Sequence, residues 1–445
     1  MTEQQHMKMP GAELAGRWAA ALGAAEPGPA PTWLRELRAQ AAGEFRAAGL
    51  PHRKVEAWKY TPMRAFENYE LAAAAPALAT AQAFEVPAPL CDRAIVVDIR
   101  DGVLMAPPAG LPDGLSVLPL GAGVERFEAR LRRLYESVEL QGATRAFAAL
   151  NTALAQQGLV VHVKQDLDAG RLLLRWAFSP GAAATMSQFR VFLLLDDDAQ
   201  LDLVEQFMSS WGGVEPTAAG LNLVCQAELG ERATLRQTRV QAESDQALLL
   251  TAMTLEQAAD SRYVFSGFDC GAALARHELN VRLAGPGAVA EIAGAFVLDG
   301  QRHTDNHVCV EHRAPNCSSE QFFRGVLGGR SRGVFNGRAL IQPGADGSSV
   351  RQSNANLLLS PLAEIDTKPE LEIYADEVEA SHGATVGQLD ETAVFYMRSR
   401  GLSEGEARRM LTGAFCRAVT DRVQGSGLSG RIAELLDAAM PEGQL

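Results

Sequence analysis

LVVHV (159–163), RLLLRW (171–176), FRVFLLL (189–195), LNLVCQAEL (221–229), ALLLTAMTL (247–255), NVRLAG (280–285), AEIAGAFVL (290–298), HVCVEH (307–312), ALIQP (339–343) and LEIYA (371–375) follow one another along more than two hundred residues. Each run is short and apolar, as a strand is, and the runs are separated by turn signals at Gly230, Pro286-Gly287, Asp299-Gly300, Gly328-Gly329, Pro343-Gly344 and Asp346-Gly347. Almost no helical periodicity lies between them. So many strands without interleaved helices exclude a doubly wound α/β fold and leave a sandwich, a propeller or a β-helix. No tight repeat of fixed period is visible, which counts against a propeller. Periodicity alone does not separate the other two.

Outside this body the pattern is helical. Trp18 and Leu22, then Trp33, Leu34 and Leu37, recur at helical spacing. The segment GLPHRKVEAWKYTPM (49–63) is loop-rich, residues 72–90 read as an Ala- and Pro-rich linker, and AIVVDI (94–99) reads as a small β unit. Helical spacing returns through Phe127, Leu131, Leu134, Tyr135, Leu150 and Leu154. Beyond the body, Ser403 and Glu406 have capping-box spacing, followed by a stripe of Ala407, Met410, Leu411, Ala414, Phe415, Ala418 and Val419, and then a short helix in RIAELLDAAM. The expected layout is a mostly helical region at 1–157, a β core at 158–400 and a helical region at 401–445.

Composition excludes several function classes. The 445 residues carry 41 Lys and Arg against 54 Asp and Glu, a net charge of −13 that argues against a nucleic-acid partner. The six cysteines are too few and too scattered for a disulfide scaffold, no window suits a membrane-spanning helix, and the start has no signal-peptide pattern, so the expected location is a reducing cytoplasm. No Gly-Lys dipeptide exists, so there is no Walker A loop, and HExxH is absent too. The one GxGxxG match, Gly425 to Gly430, lies between two helices and reads as a hinge. An enzyme on a β-helix, such as a polysaccharide lyase or hydrolase, needs a spaced carboxylate pair that does not stand out here.

Two sets of residues could carry chemistry. His303, His307, Cys309, His312 and Cys317 are suitable ligands for zinc or iron. On a strand, however, His307, Cys309 and Glu311 face away from Val308, Val310 and His312, so a structural role outweighs a metal centre. His382, in EVEASHGATVG, shares a strand face with Val378, Ala380, Ala384 and Val386. One reading is a buried, hydrogen-bonded histidine. The other is a neutral imidazole ligand offered at a subunit boundary. The stripe on the Ser403–Val423 helix likewise suits either its own core or a partner.

The run from Arg332 to Leu402, RGVFNGRALIQPGADGSSVRQSNANLLLSPLAEIDTKPELEIYADEVEASHGATVGQLDETAVFYMRSRGL, resembles the C-terminal core of the SufB/SufD family of iron–sulfur cluster assembly proteins, on its SufD side. The loop at 49–63 resembles that family's Arg-Lys…Trp-Lys-Tyr-Thr signature. The resemblance implies a right-handed parallel β-helix flanked by helical regions, a non-catalytic scaffold role, pairing with SufB through the β-helix, and docking of the ABC-type ATPase SufC on the C-terminal helices. The docking candidates are then Ala407, Met410, Leu411, Ala414 and Phe415. It implies no tightly bound cofactor of this chain's own, a transient Fe–S cluster at the SufB boundary, and His382 as a contributor there. Pairing of two copies in the absence of SufB stays open. Many relatives carry Cys two residues before the histidine; Ala380 stands here, so this strand offers no thiolate. SufB proteins carry a Cys-x-x-Cys spacing and lack the His-Gly-Ala-Thr-Val-Gly run, whereas this chain has the run and not the spacing.

Overall fold

The computed structural model describes residues 12–25, 28–71, 86–106, 108–137, 145–179, 184–208, 218–423 and 427–441. Most of the expected linker, 72–85, and Gly425 of the hinge lie outside the described residues. The helical N-terminal part comprises α1 (Ala12–Ala24), α2 (Thr32–Ala48), the short strands β1 (Glu70–Leu71), β2 (Ile95–Arg100), β3 (Val103–Leu104) and β4 (Leu115–Pro119), and then α3 (Leu120–Arg126), α4 (Glu128–Ser137) and α5 (Arg145–Leu154).

The body is a parallel β-solenoid with two sheets. One stacks β5 (Gln157–Val163), β7 (Thr185–Leu195), β9 (Gly220–Leu229), β11 (Leu248–Gln257), β13 (Leu274–Leu283), β15 (His303–His312), β17 (Arg332–Ile341) and β19 (Glu364–Ile373). The other stacks β6 (Asp168–Ala177), β8 (Gln200–Met208), β10 (Thr234–Ala242), β12 (Arg262–Asp269), β14 (Val289–Leu298), β16 (Ser318–Leu327), β18 (Ser348–Leu358) and β20 (Val378–Gly387). The β-helix expected from the resemblance is thus the fold, and the sandwich is excluded.

Between the sheets lies a close-packed lumen. Trp176 stacks on Phe207 at 5.3 Å and meets the edge of Phe189 at 4.8 Å, and further along Phe323 packs on Phe335 at 4.5 Å. Runs such as FRVFLLL are apolar throughout because both faces are covered. In β7, Phe189, Val191 and Leu193 fill the lumen, while Phe192 and Leu194 pack under Leu131, Leu134 and Tyr135 of α4.

A repeat does exist, and its step varies. Leu274 pairs with His303 and His303 with Arg332, a step of 29 residues. Leu248 to Leu274 is a step of 26, and Met186 to Gly220 a step of 34. What recurs is a left-handed residue at each odd-to-even corner from β5–β6 to β17–β18: Asp166, Asp198, Arg232, Asp260, Gly287, Asn316 and Gly347 all have positive φ. The Asp198 N–H donates to Glu231 O at 2.8 Å and that of Asp260 to Pro286 O at 2.9 Å, so each corner is tied to the next. A Cβ at Gly287 would meet Asp260 Oδ1 at 2.3 Å, which is why glycine stands there. The residue after each of these positions except Asp166 turns inward and is small: Ala199, Ala233, Ser261, Ala288, Cys317 and Ser348 are buried. Cys317 is therefore a corner-packing residue.

The two ends of the solenoid differ. At the start, β2 adds to β6 and carries β3 antiparallel, while β4 adds antiparallel to β5. The AIVVDI strand is therefore built into the solenoid rather than forming a small separate unit. At the other end, β19 and β20 are the last strands of their sheets. The strands stop at Gly387, short of the expected 400, and Glu391–Ser399 forms a helix, α6, capped by Asp390. Helices α7 (Glu404–Thr420) and α8 (Leu428–Ala439) then fold back over the outer face of the even sheet, where Cys416, Val419, Ile432 and Leu436 pack with Phe268, Val297 and Val326.

Candidate functional site

The open end of the solenoid holds His382. In-register pairing sets Val350, Gln352, Asn354 and Asn356 of β18 against Ala380, His382, Ala384 and Val386 of β20. All four β18 residues are buried and point into the lumen, so the β20 residues occupy lumen-facing positions too. Nothing covers them: His382 is exposed and Val386 is 50% exposed. The expectation of a buried histidine fails for a simple reason, that no further turn of chain stacks on β20. Across the mouth, Ile365, Thr367, Pro369, Leu371 and Ile373 of β19 continue the lumen file of Gly333, Phe335, Gly337, Ala339 and Ile341. Beneath, Thr367 Oγ1 donates to Asn354 Oδ1 at 2.8 Å and Asn356 Nδ2 to Asn354 Oδ1 at 2.6 Å. Exposed Leu362, Ile373 and Tyr374 lie at the same end. Two unpaired parallel edges beside half-covered apolar side chains form a template for further strands.

The second histidine set is not brought together. His303, His307 and Cys309 lie on the outer face of β15, and His312 turns inward to bond Ser319 Oγ at 2.8 Å. Among the described residues no group of three or more His, Cys, Asp or Glu is placed to hold a metal ion. The metal reading of His303, His307, Cys309 and His312 is thereby corrected: alternation turns His312 inward, and the other three are spaced along the outer face of the strand. Burial pushes the titration of His303 and of His312 down to about 4, and raises that of the Cys309 thiol.

The outer-face residues serve the loop at 49–63 instead. Trp58 lies under the Arg276 guanidinium at 4.1 Å, and Thr61 Oγ1 and Arg276 both donate to the Asp305 carboxylate. His307 Nε2 sits 2.9 Å from Asp305 Oδ1, and Glu56 pairs with Lys368 of β19 at 2.6 Å. Burial opposes the charge on Asp305, but Arg276 and His307 outweigh it and hold the carboxyl far below its usual range. For His307, burial is likewise outweighed, by Asp305 and Glu278, so its titration is raised. The Trp-Lys-Tyr-Thr segment is therefore a strap across β13, β15 and, through Tyr60 over Arg332 at 5.5 Å, β17, reaching β19.

On α7 the capping box forms as the spacing predicts: Ser403 and Glu406 satisfy each other's backbone N–H. The apolar stripe, however, is not the buried face. Ala407, Thr412, Gly413, Cys416, Val419 and Thr420 face inward. Ala407 is 0% exposed and is thus a packing residue, unavailable to a partner. Met410 and Ala414 are exposed, and Leu411 and Phe415 half-buried. Beside Met410, at 48%, α6 exposes Phe395 at 72% and Tyr396 at 58%. A groove of about 590 Å³, lined by Leu359, Pro361, Gln388, Arg409, Thr412 and Pro441, separates these helices from the last turns. Sequence reading missed α6; its signal was Asp390 in N-cap position before a run containing adjacent aromatics.

The fold and this end define a class: an elongated β-solenoid capped at one end, open at the other, with a terminal helical bundle on its side. The family model for the SUF system FeS cluster assembly SufBD core domain matches residues 178–415, and that for the SufBD protein N-terminal region matches 29–173. The chain belongs to this family of iron–sulfur cluster assembly proteins. It is 28% identical over 400 residues to the iron–sulfur cluster assembly protein SufD of Escherichia coli, covering 89% of this chain and 90% of the relative. It is 27% identical over 416 residues to a SufBD family protein of Synechocystis sp., covering 90% of each. A Mycobacterium leprae family member is 35% identical over 161 residues, 34% of this chain and 41% of that one. Among the described residues no helix is long and apolar enough to cross a membrane.

Proposed function

We propose that this SufD-like protein is a non-catalytic scaffold subunit of a cytoplasmic iron–sulfur cluster assembly complex. It pairs through its open solenoid end with a second solenoid subunit, SufB, and docks the ATPase SufC on its C-terminal helices. The observation that carries the reading is the uncapped mouth. Edge strands β19 and β20 can add main-chain hydrogen bonds to a partner's strands, and covering the mouth buries Ile373, Val386 and His382. His382 then becomes an imidazole ligand inside a boundary, where a nascent cluster, as cargo, takes its remaining ligands from the partner.

Exposed Phe395, Tyr396 and Met410, with half-buried Leu411 and Phe415, supply the second surface. Because α7 packs on β14 and β16 of the same body, a pull on these helices is passed to the strands that end at the mouth. Nucleotide-driven motion of SufC would thus open and close the boundary. The test is co-expression of the full chain with SufB and SufC and purification through a tag on this chain. A three-subunit complex is expected; recovery of this chain without SufB overturns the reading.

A further inference from the structure

In the lumen one file runs Gln321, Gln352, His382, one residue from each of the last three even strands, in register. Both glutamines are buried, at 1% and 4% exposure. Stacked amides ordinarily bond to one another along such a ladder. Here each Nε2 is diverted across the lumen to β17: Gln321 donates to Arg338 O at 3.1 Å and Gln352 to Gly337 O at 3.1 Å. This crossing fixes the orientation of both amides and leaves both Oε1 atoms buried without a partner, of which only that of Gln352 lies next to the open mouth. A buried acceptor left unbonded is destabilising. The next side chain in the file is His382, whose ring carries an N–H.

We propose that Gln352 is the positioning residue for His382. A turn of the exposed His382 side chain brings a ring N–H to this Oε1, which selects one tautomer, holds the imidazole over the mouth, and leaves the second ring nitrogen facing outward as an available ligand. This rests on the reading that His382 serves a docked boundary, and it assigns the outward lone pair at that boundary.

The full chain labelled with 15N-histidine tests it. Long-range 15N–1H correlation spectra report the tautomer of each histidine directly. The parent is expected to show His382 as a single tautomer, Gln352→Leu a mixture, and Gln352→Glu, which keeps an acceptor oxygen in either protonation state, a single tautomer again. An unchanged His382 pattern in Gln352→Leu, with circular dichroism showing the chain folded, overturns the proposal. If Gln352→Leu does not fold, a mixture of tautomers in the parent overturns it equally. SufB binding, measured separately on the parent and on His382→Ala, keeps the two ideas apart. A parent that does not bind SufB, with a Gln352-dependent tautomer, sinks the boundary reading alone, and parent binding that His382→Ala weakens, with an indifferent tautomer, sinks the positioning role alone.

Discussion

Placing a carboxylate at Val386 is the sharpest probe of the open end. Val386 lies on the lumen side of β20 and is 50% exposed. Fully burying a valine side chain contributes about 1.5–3 kcal/mol, so covering its exposed half contributes about 1 kcal/mol to docking. Val386→Asp removes that and adds the effective cost of enclosing an unpaired carboxylate, about 3 kcal/mol at the low end. The total of about 4 kcal/mol corresponds to a roughly thousandfold weaker Kd for SufB. Because the site is half solvated in the free chain, the melting free energy is expected to change by only about 1 kcal/mol or less. Ser381→Asp, on the outer side of the same strand opposite Arg351, is the matched control, with an expected loss below about tenfold. Calorimetric titration of SufB into each variant reads both numbers. If Val386→Asp binds within about threefold of the parent, or Ser381→Asp is the more damaging of the two, the mouth is not the docking face.

Other outcomes follow from the same geometry. Met410→Asp combined with Phe395→Asp is expected to weaken SufC binding by at least about tenfold in a pull-down titration while leaving SufB pairing intact, since both side chains are exposed and lie on the helices, not on the edge strands. Asp305→Ala removes the buried carboxylate that Arg276 and His307 share, and urea unfolding should show a loss of about 3–5 kcal/mol, with Asp305→Asn losing less. His312, pushed down to about 4 by burial against about 6.5 when unfolded, makes the unfolded chain bind more protons between these values. Stability is therefore full above about pH 6.5 and falls by about 3 kcal/mol on acidification to about pH 4; His312→Gln should flatten that part of a stability-against-pH curve.

Much of the body was legible because a strand covered on both faces reads as an unbroken apolar run, and the ten quoted runs fall on β5, β6, β7, β9, β11, β13, β14, β15, β17 and β19, whereas β8, β10, β12, β16 and β18 offered no such run. The repeat was not legible. Its step drifts from 26 to 34 residues, and its one recurring feature, a left-handed corner, is met by Asp, Arg, Asn or Gly alike. Alternation placed His382 with Val378, Ala380, Ala384 and Val386, and the structure keeps that grouping. Burial did not follow, because burial depends on whether another turn is stacked above, which no local pattern encodes. On α7 the error ran the other way. The helix approaches the sheet with small and polar residues, Ala407, Thr412 and Gly413, while longer Met410 is left outside. Hydrophobicity marked the stripe, but close approach of helix and sheet decided the face.

The case for His382 gains force from what the other histidines do. His6 lies outside the described residues. His52 Nδ1 accepts the Lys54 N–H at 3.2 Å within its own turn, and His162 Nε2 lies 2.8 Å from Asp196. His277 bonds Thr251 at 2.8 Å, His312 bonds Ser319, and His307 leans on Asp305. His303 is buried on the outer face of β15. Each of these rings, His6 apart, has a place in the folded chain by itself. His382 alone combines exposure with a lumen-facing position on an open strand edge. In solvent an imidazole there is one weak ligand among many waters. Enclosed between two solenoid ends it loses that competition, since the same nitrogen in a dry boundary must bind a metal, accept a hydrogen bond or pay desolvation. The chemistry assigned to this residue is therefore a property of the docked pair, and the free chain is expected to hold iron weakly even with His382 intact.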